Sequence, residues 1–107
     1  MLQYLDKYTS MIIKIKQLII DGDYELKFVR SFRGYKNLPI KGFLIPETDT
    51  ILINKNLNDQ DKITTIIHEF IHVLHPDWPE YKVEKKCLQL SKQLDQSDYI
   101  FFQNLLS

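Results

Sequence analysis

Ile63-Thr64-Thr65-Ile66-Ile67-His68-Glu69-Phe70-Ile71-His72-Val73-Leu74-His75 is the stretch on which the reading of this chain turns. Its centre is H-E-x-x-H. In that pattern two histidines one helical turn apart can hold one metal ion, and the glutamate between them serves as general base. Wound at about 100° per residue, Ile63, Ile66, Ile67, Phe70 and Leu74 fall on one apolar stripe that faces a core. His68, His72 and His75 fall on roughly the opposite side, with Thr64. The histidines therefore face a cleft or bulk water, not the main core. A five-residue pattern also arises by chance, so the rest of the chain has to carry the chemistry.

Outward from the motif, Asn58 is a good N-cap for a helix from Asp59 to His75, and Pro76 closes it. Pro76-Asp77-Trp78-Pro79 is a tight link, with Asp77 and Glu80 at capping-box spacing. The next helix runs to Leu94, with Val83, Cys87, Leu90 and Leu94 as its apolar stripe. A last helix over 98–106 follows Ser97 as cap. Before the motif, apolar periodicity predicts a helix over residues 3–20, stopped at Asp21-Gly22-Asp23. Strands are expected at 24–30, 40–45 and 50–54, with a basic, aromatic loop over 30–37. The order is an α+β domain with a small three-stranded sheet.

At 107 residues the chain is expected to be one domain, residues 1–107. Its 44% apolar and 12% aromatic content is that of a folded globular protein. Net charge is zero, so nothing favours nucleic acid or an anionic membrane as partner. The single cysteine, Cys87, cannot form an internal disulfide and excludes a thiolate zinc cluster. The early charges Asp6 and Lys7, and the breaks at Lys14 and Lys16, do not fit a signal peptide. No run approaches the ~18 apolar residues of a membrane span. The expected location is the cytoplasm.

A third ligand is sought on the helix after the motif. Glu80 and Glu84 both lie within its apolar arc, and an inward carboxylate needs a partner. The midpoint of the histidine pair lies ~7–8 Å back from the helix end near His75, at 1.5 Å per residue. An antiparallel helix reaches that depth after one to two turns, which favours Glu84. Glu80 is the other carboxylate, nearer the start and with a capping role. His75 lies ~10 Å along the axis from His68, too far to share one tetrahedral ion. It stays a candidate for a supporting or oxyanion-donating role, as do Tyr81, Tyr35, Arg33 and Tyr99.

With this motif and a downstream helical glutamate, the chain resembles the gluzincin metallopeptidases, most closely the minimal single-domain minigluzincins. His68, Glu69 and His72 match the family motif, and Glu84 matches the ligand on its glutamate helix. The immunity-repressor peptidases share the motif, but a glycine often stands there where Ile71 stands here. The resemblance implies a minimal zincin-like domain holding one catalytic Zn²⁺ through His68, His72 and Glu84. Glu69 would be the general base in hydrolysis of a peptide or unfolded protein. It implies a substrate strand paired antiparallel with a sheet edge, for which Thr50, Ile51, Leu52, Ile53 and Asn54 are the obvious strand. It also implies latency through a C-terminal segment folded over the cleft, for which residues 99–106 are apolar enough. A plain C-terminal core helix is the competing expectation. A structural zinc site, a catalytically silent interaction protein of the phage-immunity or toxin-partner type, and self-association stay open.

Overall fold

The computed structural model describes residues 6–30 and 41–106, with side chains from residue 11 onward. The elements are α1 (Asp6–Asp21), β1 (Glu25–Val29), β2 (Gly42–Ile45), β3 (Thr50–Asn54), α2 (Asp59–Leu74), α3 (Glu80–Gln93) and α4 (Gln96–Leu105). This is the α+β order expected from the sequence, with a small mixed sheet. No helix among the described residues is long and apolar enough to cross a membrane.

The sheet order is β1-β3-β2, with β1 parallel and β2 antiparallel to β3. This corrects one expectation. Thr50–Asn54 is the central strand, hydrogen-bonded on both sides, and cannot accept a further strand. Ile51 and Ile53 are fully buried, in keeping with a strand in the middle of the sheet. Among the described residues, β2 is the free edge on the antiparallel side. A 3-10 turn at Pro46–Thr48 joins it to β3, and Asp49 takes the left-handed conformation at φ 49° to close the turn.

α2 is the central helix. Asn58 caps it, its side chain accepting from the Asp61 N–H at 2.8 Å. Ile63, Ile66, Ile67, Phe70 and Ile71 are fully buried. Each such side chain contributes ~1.5–3 kcal/mol of transfer free energy. The core stripe is one residue wider than the helical wheel predicts, taking in Ile71, while Leu74 is only partly buried. Val83, Cys87 and Leu90 from α3, Phe102 from α4 and Met11, Ile12 and Ile15 from α1 complete the core.

The C-terminal helix is a core element. Asp95, not Ser97, caps it through a reciprocal capping box with Asp98. Phe102 is fully buried, and Asp98 pairs with Lys16 of α1. Nothing from 95–106 lines the cavity above the motif helix. The segment expected to fold over the cleft is held on the core by these contacts, so the competing expectation of a core helix is the correct one.

Candidate metal centre

His68 and His72 project from one face of α2, their ring centroids 5.0 Å apart. Both meet the same carboxylate. His68 Nε2 lies 2.6 Å from Glu80 Oε1, and His72 Nε2 lies 3.0 Å from Glu80 Oε2. One ligand atom from each of His68, His72 and Glu80 lies within 4.8 Å of the others, close enough to hold a metal ion. Ligand atoms about a tetrahedral zinc with ~2.1 Å bonds stand ~3.4 Å apart, between the 2.6 and 3.0 Å contacts and the 4.8 Å limit of the group. The donor set fits: two imidazole nitrogens and one carboxylate oxygen leave a fourth position open, as in catalytic rather than structural zinc sites. The side chains are 19%, 24% and 60% exposed for His68, His72 and Glu80, so the cluster is open to solvent.

The third member is Glu80 and not Glu84. Glu84 lines the same cavity one turn further along α3 but is outside the three-residue group. The physical reason is the level at which α3 starts. The Cys87 thiol donates to the Thr64 carbonyl at 3.3 Å, which sets the two antiparallel helices side by side at those residues. Glu80 is seven residues before Cys87, and Ile71 is seven after Thr64, so Glu80 stands level with Ile71, within the span of the histidine pair. The link over residues 75–79 doubles back so that the first residue of α3, not its second turn, meets the histidines. The expected capping box also fails for this reason. Pro79 is the N-cap with no side-chain hydrogen bond, and the Glu80 carboxylate meets the imidazoles instead.

A cavity of about 920 Å³ opens over the cluster. β2 forms one wall with Gly42, Phe43 and Leu44, and α3 forms the other with Glu80, Glu84 and Leu88. Glu69 lines it between them and is only 8% exposed. Gly42 explains that burial. A Cβ there would stand 2.5 Å from Thr65 Cγ2 and 3.4 Å from Glu69 Cγ, so the strand lies directly on this side of α2. Burial, and after it the Glu80 charge, pushes the Glu69 carboxyl up to about 7. A carboxylate near neutrality is suited to taking up and returning a proton.

Register shows what β2 offers. The Asn54 N–H donates to the Lys41 carbonyl at 2.8 Å, and Gly42 pairs with Ile53 and Leu44 with Ile51. In an antiparallel ladder with that phase, the peptide groups of Gly42 and Leu44 point away from β3, along the free edge. Gly42 was missed in the sequence. The signal was there: an isolated glycine opening a strand marks a close backbone approach.

Three of the supporting candidates, His75, Tyr81 and Tyr99, lie outside the cavity lining. His75 is the C-cap of α2, and its ring lies flat on Trp78, 3.8 Å between centroids at 6°. Tyr81 is 74% exposed and does not line the cavity. Tyr99 packs against the core from α4. Arg33 and Tyr35 lie outside the described residues.

Comparison of the chain with protein-family models, with characterised proteins and with solved structures finds no match.

Proposed function

We propose that this domain is a zinc-dependent endopeptidase of the gluzincin kind, with Glu69 as its general base. The observation that carries the reading is the convergence of His68, His72 and Glu80 at the mouth of a cavity that Glu69 lines. A zinc ion bound by those three residues supplies Lewis acidity, which acidifies water and polarises a carbonyl.

The chain's own groups do the rest. His68 and His72 present Nε2 atoms from one helix face, and Glu80 brings the balancing charge from α3. Glu69 accepts a proton from the attacking water and returns it to the leaving amine nitrogen. The substrate enters as an extended strand against β2, hydrogen-bonded to the outward peptide groups of Gly42 and Leu44. Main-chain pairing of this kind binds many sequences, in keeping with a peptide or unfolded protein as substrate. Leu44 and Leu88 offer apolar contact at the cavity walls.

The test is metal analysis of the purified protein with a casein digestion assay on wild type and Glu69→Ala. The reading expects near-stoichiometric zinc in both and hydrolysis only in wild type. Hydrolysis that survives in Glu69→Ala, or in wild type stripped of metal, overturns it. Zinc binding with no hydrolysis, together with unfolding on metal removal, would instead identify a structural site.

A further inference from the structure

We propose that the stack of His75 and Trp78, closed by Lys82, is a clamp that positions Glu80 for metal binding; this rests on the metal-site reading above. Glu80 poses a physical problem. Its side chain is 60% exposed and it is the first residue of α3, yet it meets two imidazoles at 2.6 and 3.0 Å. A long, solvated glutamate loses rotamer freedom when it is held in one geometry. No side-chain hydrogen bond caps the helix end it sits on, where the Pro79 carbonyl accepts from the Lys82 and Val83 N–H groups at 3.0 and 3.2 Å. Its placement therefore depends on where the backbone at Pro79 and Glu80 is held.

The link itself supplies that hold. The His75 N–H donates to the Ile71 carbonyl at 2.8 Å, and the Trp78 N–H donates to the His75 carbonyl at 3.1 Å. These bonds turn the chain, and Pro76 and Pro79 restrict φ on either side of the turn. The two rings then lie face to face, and the Lys82 ammonium sits 4.4 Å from the centroid of the Trp78 ring. His75 belongs to the end of α2, Trp78 to the link and Lys82 to the first turn of α3. The three together span the junction that sets Glu80 opposite His68 and His72. Trp78 also packs against the core, which anchors the clamp to the body of the domain. His75, the third histidine of the motif face, thus acts as a positioning residue through its ring rather than as a ligand.

The experiment measures zinc affinity by competition with a chromophoric chelator, and Co²⁺ absorption, for wild type, His75→Ala and His75→Phe. Both substitutions leave Trp78 in place, and thermal unfolding of the metal-free proteins checks the fold. His75→Ala should weaken zinc binding ~10- to 100-fold and alter the Co²⁺ bands, as loss of a group that orients a ligand does. His75→Phe keeps a flat ring on Trp78 and should bind within ~3-fold of wild type. In a Glu80→Gln background, His75→Ala should add less than ~2-fold, because the two act through one carboxylate. Wild-type affinity in His75→Ala, equal losses in the Phe and Ala variants, or additive losses with Glu80→Gln each overturn the clamp. A wild-type protein that binds no zinc removes the metal-site reading as well, so the two failures are distinguishable.

Discussion

Gly42 and Thr65 touch so closely that a Cβ on the glycine would stand 2.5 Å from the threonine Cγ2. Thr65 is only 5% exposed, and its hydroxyl donates to the Asp61 carbonyl at 2.7 Å, so it cannot swing away freely. This contact seats the edge strand on the motif helix and covers Glu69. Gly42→Ala should destabilise the fold by ~1–3 kcal/mol through overpacking. Under the proposed function it should also raise KM by displacing the substrate-pairing edge. Chemical denaturation and peptide-cleavage kinetics check the two effects, and unchanged stability would contradict the contact.

Glu80 and Glu84 are separated by one turn, and only Glu80 meets the histidines. Glu80→Gln should weaken zinc binding by more than tenfold, whereas Glu84→Gln should change it by less than ~3-fold. Metal titration of the two variants side by side decides the matter. The reverse order would restore Glu84 as the ligand.

Glu69 lines the cavity and is outside the three-residue metal group. Glu69→Gln should keep full zinc stoichiometry while lowering kcat by at least ~10²- to 10⁴-fold, the usual contribution of a positioned base. Zinc content by atomic absorption and turnover on a quenched peptide measure both halves of this expectation.

Burial pushes the Cys87 thiol up to about 11, from an ordinary value of 9.0. The folded chain therefore holds this proton more tightly than the unfolded chain. The associated stability is complete below about pH 9 and is lost as pH rises through 11. Denaturation midpoints should fall across that window in wild type and fall less in Cys87→Ser. At pH 8 the native thiol should react with iodoacetamide far more slowly than the unfolded one.

Phe102 is fully buried in the core. Phe102→Ala should cost ~3–5 kcal/mol. Removal of α4 should lower stability without raising proteolysis, because no residue of that helix lines the cavity. A gain in activity on truncation would return the C-terminal segment to an inhibitory role.

Much of the fold was legible because it is written in local pattern. Asn58, the isoleucine stripe of α2 and Pro76 delimit one helix, and the alternation around Ile51 and Ile53 marks a strand. What local pattern lacks is neighbourhood. The residues of β3 read equally well as an edge or a centre, since pairing on the second side depends on a strand elsewhere in the chain. The burial of Glu69 was equally invisible, because it depends on a glycine 27 positions earlier coming to rest against the helix (69 − 42 = 27).

The sequence by itself determined the α+β order, the motif helix and the face on which His68 and His72 stand, because helical spacing alone places those groups. Tertiary structure decided which strand is the edge, what covers Glu69 and which glutamate completes the cluster. A ligand brought by a second helix depends on the path of the link between the two. Here the stacked His75 and Trp78 and two prolines bring Glu80, not Glu84, to the imidazoles.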